Sequence, residues 1–273
     1  MRYIFILLFI FSSLNAQKIS ALYDVDFSIF GKIGEAYVSR FQKDGRYHIY
    51  VDAALTGKAA SIGQNRREIH ESFGIIENGI YLPELYKITR SATQFYNQTF
   101  FVFYPKLAKI EEHRLKEKDV EKNIFDVFTL NINTTVKRKK SSSMKTLDYY
   151  ANNDLQSIFF NVRSLLLTMN LGDEKVVYAA GGSNKKGEIL ITKPDGVKYK
   201  ELANLMPTHE DKLITVVINQ DIFKSDKGEL YISLDEDYLV KEALLKDVLL
   251  FGDIHANRKW KKIGSKLAQK AHD

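Results

Sequence analysis

The sequence predicts a mainly β protein in which a curved antiparallel sheet, or half-open barrel, carries one main amphipathic helix. Three observations predict this architecture. Short segments alternate apolar and polar residues, as half-buried strands do. Turn-forming pairs such as Asp44-Gly45 separate these segments at close spacing. Residues 154–169 instead repeat apolar residues at intervals of three and four, which is typical of a helix with one buried face.

The N-terminal half is predicted to be a meander of strands. Tyr23 to Ile29 alternates apolar and polar residues, and Gly31 to Gly34 is predicted to turn the chain into a return strand from Glu35 to Phe41. Asp44-Gly45 then predicts a tight turn, and Asn78-Gly79 predicts another. The strands predicted before the helix are 23–29, 35–41, 47–55, 67–76, 85–91, 94–104, 108–115 and 124–136.

The helix is predicted where the spacing of apolar residues changes from two to three and four. Residues 152–154 are Asn and Asp, which are good N-caps, and Gly172 is predicted to end the helix. Its apolar face is predicted to cover one face or the open mouth of the sheet. Strands then resume, and residues 194–212 are predicted to be an extended loop with a helical turn at 199–205. The later predicted strands are 175–180, 188–193, 213–219, 229–234, 240–246 and 248–256.

Residues 1–16 are predicted to be a cleavable signal peptide. Arg2 precedes an apolar run from Tyr3 to Phe11, and polar residues follow up to Ala16, after which we expect cleavage. A membrane-spanning helix requires about 20 apolar residues, so this run is too short to remain as an anchor. We therefore expect a periplasmic protein that is soluble and has no transmembrane segment in its mature form.

The rest of the chain is predicted to form a single β-rich domain, residues 17–257, followed by a basic segment, 258–273. No linker rich in Pro, Gly or Ser and no internal repeat divides it. The chain contains no cysteine, which excludes a bacterial lipoprotein anchor, disulfides and cysteine-based zinc sites.

The formal net charge of +6 is modest and localised. We expect no nucleic-acid partner for an exported protein, so anionic lipid head groups, acidic glycans or an envelope protein are the electrostatic candidates. Solvated charge on a hairpin tip and a tail is the alternative interpretation. The candidate surface-binding residues are Lys137, Arg138, Lys139 and Lys140, with Lys145 nearby, and Lys259, Lys261 and Lys262.

The C-terminal segment carries apolar residues at helical spacing between its lysines: Trp260, Ile263, Leu267 and Ala271. This spacing predicts a short basic amphipathic segment. Such a segment lies on a membrane surface, packs on the sheet or frays in solvent, and the sequence leaves these alternatives open.

No catalytic residue, metal site or cofactor is predicted. The six histidines show no metal-ligand spacing, and Asp235, Glu236 and Asp237 lack the spacing of a calcium loop and are predicted to form a turn. The chain has no Gly-x-Ser-x-Gly elbow and no phosphate-binding glycine loop. A carboxylate pair for glycoside hydrolysis is defined by distance in space, so the sequence leaves that activity open.

The strand predicted over Gln94 to Tyr104 is aromatic on both faces. One interpretation is a central strand covered on both sides. The other is that one face lines an internal apolar cavity that suits a lipid or another hydrophobic ligand. The candidate cavity residues are Tyr96, Phe101, Phe103 and Tyr104.

A set of short segments occurs in a defined order along the chain: Tyr23–Phe27 with Gly31, Gly34 and Glu35; Thr56-Gly57; Arg67–Ser72 with its Glu-Ser pair; Asn153–Leu155; Leu230–Asp237; Val240-Lys241; and Phe251-Gly252. In their order and spacing these segments resemble the bacterial envelope family called domain of unknown function 3108. The segment from Lys137 to Lys145 and the tail after Trp260 depart from the family pattern. The resemblance implies an exported protein with a curved antiparallel sheet, akin to lipoprotein carriers that wrap a half-open barrel around acyl chains, and it implies no known activity.

These observations lead to three hypotheses for the function. The first is a non-enzymatic periplasmic binder or carrier that holds a hydrophobic or amphiphilic component of the cell envelope inside the curved sheet. The second is an envelope-assembly or peptidoglycan-associated protein that binds a partner through its basic patches. The third is a glycan hydrolase, which requires two opposed carboxylates across a cleft.

Overall fold

A computed structural model describes residues 16–126, 131–182, 186–206, 212–218, 229–246 and 252–266. Within these residues the chain forms one open, curved sheet of 15 strands that does not close into a barrel, together with three α-helices. The predicted mainly β fold is therefore confirmed. None of the described helices is long and apolar enough to cross a membrane. The predicted signal peptide, apart from Ala16, lies outside the described residues.

The first arm of the sheet is an up-and-down meander of eight strands. Each strand pairs antiparallel with the preceding one, and β8 lies at one edge of the sheet. Helix α1 (Gly57–Ile62) connects the third strand to the fourth. The strands are β1 (Ala16–Phe27), β2 (Gly31–Lys43), β3 (Arg46–Leu55), β4 (Arg67–Glu77), β5 (Ile80–Ala92), β6 (Phe95–Tyr104), β7 (Lys109–Asp126) and β8 (Asn131–Thr146).

Two of the tight turns form where their dipeptides predict them. Asp44 and Gly45 have φ angles of 52° and 71°, and Asn78 and Gly79 have φ angles of 51° and 79°. A two-residue hairpin turn of this type requires such left-handed values, which Gly, Asn and Asp adopt most readily. The first turn differs from the prediction. It occupies residues 28–30, because Gly31 with φ 68° completes the turn and pairs with Phe27, so residues 31–34 already belong to β2.

The second arm contains the helix that the change of period predicts. Helix α2 (Ser157–Leu166) is shorter than the predicted 154–169. Asp154 belongs instead to strand β9 (Asn153–Asp154), which pairs parallel with β10 at the other edge of the sheet. The predicted loop 194–212 contains helix α3 (Gly196–Leu205). The remaining strands of this arm are β10 (Glu174–Ala180), β11 (Glu188–Thr192), β12 (Lys212–Ile218), β13 (Glu229–Leu234) and β14 (Val240–Leu245).

The two arms are joined at the centre of the sheet by β15 (Ile254–Lys266), which pairs antiparallel with both β1 and β14. The prediction that the C-terminal segment is helical is therefore wrong for its described part, residues 258–266. Trp260 pairs with Leu22 and Ile263 pairs with Ile19, and residues three apart on a strand point to opposite faces. Leu267 and Ala271 lie outside the described residues.

Helix α2 lies on the concave side of the sheet and packs against both arms. Ile158, Val162 and Leu166 join a core cluster with strands of the second arm. Phe160, on another side of the helix, packs against Tyr81 of the first arm, with ring centroids 5.8 Å apart. A further cluster places Ala180 of β10 with the inward side chains of β5 and β6. The sheet therefore curls around the helix.

Buried ion pairs pin the loop between β13 and β14 to the central strand β15. Asp235 is 3% exposed and lies 2.7 Å from Arg258 Nη1 and 2.7 Å from Lys261 Nζ. Its other carboxylate oxygen accepts the backbone N–H groups of Asp237 and Leu239. Burial alone raises the pKa of Asp235, but the hydrogen bonds from Lys261, Leu239 and Arg258 outweigh it and lower the pKa.

We expect Asp235→Ala to lower the free energy of unfolding by about 3 kcal/mol, because it leaves the largely buried guanidinium of Arg258 without its anionic partner. Urea unfolding followed by circular dichroism measures this change. Glu236→Ala is the matched control, because the adjacent Glu236 side chain is 83% exposed, and we expect a change within about 0.5 kcal/mol. Equal effects of the two substitutions would contradict the pinning role of Asp235.

Candidate functional site

An apolar cavity of about 220 Å³ lies between the concave face of the sheet and helix α2. Strands β1, β2, β3 and β15 form one wall, and the helix with the loop before β14 forms the other. Its wall is mostly apolar, as expected for a site that binds an apolar group. The lining residues are Ile19, Ala21, Tyr23, Ala36, Val38, Arg40, Val51 and Ala256 from the strands, and Gln156, Phe159, Phe160 and Tyr238–Val240 opposite them.

The strand sequences explain why space remains beneath the helix. In a strand every second side chain points to the same face, and in β1 and β2 the inward positions include Ala21, Ala36 and Val38. Ala256 of β15 faces the same space. These side chains are short, so a gap remains beneath Phe159 on the cavity side of the helix, although its ring also packs against the core cluster of the second arm.

A buried carboxylate fixes the N-terminus of helix α2 to the sheet. Asp154 is fully buried, and its Oδ1 accepts the backbone N–H groups of Gln156 and Ser157 at 2.7 and 2.8 Å. Its Oδ2 accepts the hydroxyl hydrogen of Ser72 on β4 at 2.5 Å, and Ser72 in turn lies 3.1 Å from the hydroxyl of Tyr47. The fold thus brings together two of the sequence segments that carry the family resemblance, the Glu-Ser pair and the residues before the helix.

Burial dominates the titration of this carboxylate. It raises the pKa of Asp154 to about 6, although the hydrogen bonds from Ser72, Ser157 and Gln156 act in the opposite direction. The ionised form of Asp154 is therefore disfavoured in the folded protein compared with the unfolded chain.

Asn161 provides a second attachment of the helix, to strand β5. Its Oδ1 accepts the backbone N–H of Tyr81 at 2.8 Å, and its Nδ2 donates to the carbonyl of Tyr81 at 2.9 Å. The same Nδ2 lies 2.8 Å from Oδ1 of Asn153 in β9. Helix α2 is therefore attached to the first arm at its start and at its second turn, on the side of the sheet that contains the cavity.

A polar cleft of about 740 Å³ lies at the ends of β4–β7, on the first arm. Its basic residues are Arg66, Arg90, Arg114, Lys116 and Lys145, and its acidic residues are Glu68, Glu112 and Asp148. Arg90 pairs with Glu68, and both Arg114 and Lys145 pair with Glu112, which is 3% exposed. Most of the charge in the cleft is thus neutralised within the protein.

The pKa of Glu68, one of the carboxylates of this cleft, is set by burial and by two close partners. Burial alone raises its pKa, but contacts at 2.8 Å with His70 Nε2 and with Arg90 Nη2 outweigh burial and lower the pKa of Glu68 to about 2. A glycosidase needs one carboxylic acid that donates a proton near neutral pH. Glu68 is unsuited to that role, so the cleft offers no support for the hydrolase hypothesis through this residue.

The four aromatic residues predicted to line a cavity do not come together. Phe101 and Phe103 are buried in the core of the first arm with Tyr86 and Ile110, whereas Tyr96 and Tyr104 lie at alternate positions and so point to the opposite face. Phe101 lines the polar cleft, and the hydroxyl of Tyr104 donates to Glu111 at 3.2 Å. The described cavity residues do not include any of the four.

Sequence reasoning therefore missed the residues that form the cavity. The available signal was the pattern of inward alanines, because Ala21, Ala36 and Ala256 occupy positions where a filled core requires larger side chains. A second signal was the pair Phe159-Phe160, since adjacent helical residues cannot both face one core and only one of them can pack on a given strand.

The predicted basic patches lie in two separate parts of the sheet. Lys137, Arg138, Lys139 and Lys140 belong to β8 at the sheet edge, where Arg138 binds Asp119 through two hydrogen bonds and Lys140 lies 2.8 Å from Glu117. Lys137 and Lys139 are exposed. In the central strand β15, Lys259 lies 3.7 Å from Asp24, and Lys262 lies over the ring of Trp260.

The acidic triplet after β13 already holds a cation. Lys261 Nζ lies 2.7 Å from Asp235, 2.8 Å from Asp237 and 3.6 Å from Glu236. Within the described residues these three carboxylates are the group whose oxygens come close enough to hold a metal ion. The ammonium group of Lys261 lies among them and offsets part of their charge.

The chain matches no family model, no curated protein and no solved structure. The resemblance to domain of unknown function 3108 therefore remains a prediction.

We expect Asp154→Asn to reduce the dependence of the unfolding free energy on pH. The pKa of Asp154 is about 6 in the folded protein and 3.8 in the reference state, so its acid form stabilises the fold below pH 3.8 and this stabilisation is lost as the pH rises through 6. Relative to the variant, the wild type should lose about 3 kcal/mol of unfolding free energy across this range. Urea titrations at a series of pH values measure it.

The asparagine side chain keeps an acceptor for Gln156 and Ser157 and offers a donor to Ser72, so Asp154→Asn should fold. Asp154→Ala removes both and should be less stable at every pH. A wild type and an Asn variant with parallel stability curves would contradict the assignment.

Proposed function

We propose that this protein is an exported, non-enzymatic binder or carrier of an amphiphilic component of the cell envelope. The observation that carries the proposal is the apolar cavity between helix α2 and the concave face of the sheet. Burial of a ligand chain there contributes about 0.8 kcal/mol for each methylene group removed from water. The lining side chains give such a chain apolar contacts on both sides, from the alanines of the sheet and from Phe159 and Phe160 of the helix.

Attachment of the helix supports a role in binding. Asp154 and Asn161 hold it to the first arm, so the ligand wall is formed before the ligand arrives and little conformational entropy is lost on binding.

The compartment is part of the proposal and rests on the sequence. The apolar run from Tyr3 to Phe11 and the small residue Ala16 support export, and the family resemblance supports an envelope protein without specifying an activity. Fractionation of cells followed by N-terminal sequencing of the purified protein tests it, with Gln17 expected as the first residue. Recovery of the intact N-terminus from the cytoplasm would contradict export.

The alternative in which basic patches bind an envelope protein or peptidoglycan has weaker support. Arg138, Lys140, Lys259 and Lys261 each lie within ion-pair distance of a carboxylate of the protein itself, which reduces the field they offer to a partner. Charge reversal at Lys137 and Lys139 tests this alternative without affecting the cavity.

We expect a larger side chain in the cavity to weaken binding of an apolar probe. Ala36→Phe fills space beneath helix α2 and should lower the affinity for decanol at least tenfold, which corresponds to about 1.4 kcal/mol. Titration calorimetry measures the affinity. Ser39→Phe is the matched control, because Ser39 lies on the same strand and points to the opposite face.

Two results would count against the carrier proposal. One is the failure of decanol to bind the wild type, combined with native mass spectra of the protein from its own compartment that show no co-purified lipid. The other is equal loss of affinity in Ala36→Phe and Ser39→Phe, which would indicate a general effect on the fold.

A further inference from the structure

We propose that the cavity selects single-chain amphiphiles with an anionic head group, and that Arg40 binds the head group. This inference rests on the carrier function proposed above and specifies its ligand class. It is carried by the position of one cation in an otherwise apolar wall.

Arg40 follows Ala36 and Val38 as the next inward position of β2, so its side chain lines the same cavity. Its guanidinium carbon lies 5.6 Å from the ring centroid of Tyr81 and 5.4 Å from that of Phe160. These two rings belong to the first arm and to helix α2, so Arg40 lies where the helix meets the sheet.

The charge of Arg40 is not balanced by an ion pair in the part of the chain that the structure describes. Nη2 donates to Oε1 of Gln17 at 3.1 Å, which is a neutral acceptor, and Nε is buried with no hydrogen-bond partner. Arg258 also lies on an inward-facing position near the cavity, and it is paired with Asp235 at 2.7 Å. Asp237 acts on Arg40 from a distance, but it already lies 2.8 Å from Lys261.

A buried cation without an anion is costly, because the charge loses water and gains no equivalent partner. Burial lowers the pKa of Arg40, yet a guanidinium remains protonated in a protein. The two aromatic rings offset part of this cost. An anionic ligand group beside the guanidinium would supply the missing charge, through a charge-assisted hydrogen bond.

The surroundings of Arg40 form a polar end to the cavity. Gln42 Nε2 donates to Gln17 Oε1 at 2.8 Å, and the hydroxyl of Tyr81 donates to Gln42 Oε1 at 2.9 Å. A head group at Arg40 is therefore close to further hydrogen-bonding side chains. The chain of the ligand would extend from there along β2, past Val38 and Ala36.

The size of the cavity limits the ligand to one chain. A volume of 220 Å³ accommodates about seven groups the size of a water molecule, which is close to the size of a methylene group. The end of a ten-carbon chain would therefore extend out of the cavity. A second acyl chain would have to remain outside. We therefore expect a single medium-length chain to bind better than a diacyl lipid.

Titration calorimetry with four probes tests the inference. Decanoate and decyl phosphate carry two kinds of anionic head group, a carboxylate and a phosphate. Decanol has the same chain length and no charge. Vesicles of dioleoyl phosphatidic acid present an anionic lipid with two chains. We expect the wild type to bind both anionic probes at least tenfold more tightly than decanol and not to extract the diacyl lipid from vesicles. The ratio of decanoate to decyl phosphate affinity distinguishes a carboxylate from a phosphate ligand.

Arg40→Met should reduce the affinity for the anionic probes to that for decanol and leave decanol binding within about twofold. Arg40→Lys keeps the charge and should keep most of the preference. Arg46→Met is the matched control, because Arg46 lies on the neighbouring strand, pairs with Glu84 and is exposed, and it should behave as the wild type. Thermal unfolding verifies that each variant is folded.

Each outcome of these titrations either supports or overturns the inference. Equal affinity of the wild type for decanoate and decanol overturns the head-group inference and leaves the carrier proposal standing, and this comparison needs no variant. Extraction of the diacyl lipid overturns the single-chain limit. Failure of all four probes to bind overturns both the inference and the proposed function.

Discussion

The hydrogen bond between the buried carboxyl of Asp154 and the hydroxyl of Ser72 is the interaction on which the rest of the structure depends. It ties the first turn of helix α2 to a strand in the middle of the first arm, although the two residues are 82 positions apart. The same carboxyl satisfies the free N–H groups at the helix start, which would otherwise be buried without acceptors. Because the helix is held there, both arms have a common apolar surface to pack against.

The cavity is a consequence of this arrangement combined with small side chains. The helix cannot move closer to the sheet at its Phe159 side, because Asp154 and Asn161 fix its height above the first arm. Where the sheet has large inward residues the gap is filled, as at Tyr47 and Tyr81. Where it has alanines the gap remains. The cavity thus results from small inward side chains, rather than from a motif of reactive groups.

Much of the fold follows from local patterns. The alternation in β1 to β4, the Asp-Gly and Asn-Gly turns and the single helical period each act over a few residues, and the structure contains the corresponding elements. The site depends on contacts between distant residues. Nothing near Arg40 in the sequence indicates that its charge is unpaired. Trp260 and Ile263 fit a helical period in the sequence, but in the fold β1 pairs with their backbone.

The pairing of β1 with β15 has a consequence for the time at which the protein folds. The central ladder joins residues about 240 positions apart, such as Ile19 and Ile263, so it forms only after Ile263 has left the ribosome. Until then the apolar inner faces of the two arms lack the strand that connects them. A polypeptide whose two arms are joined so late has not completed its fold while most of its strands are being synthesised.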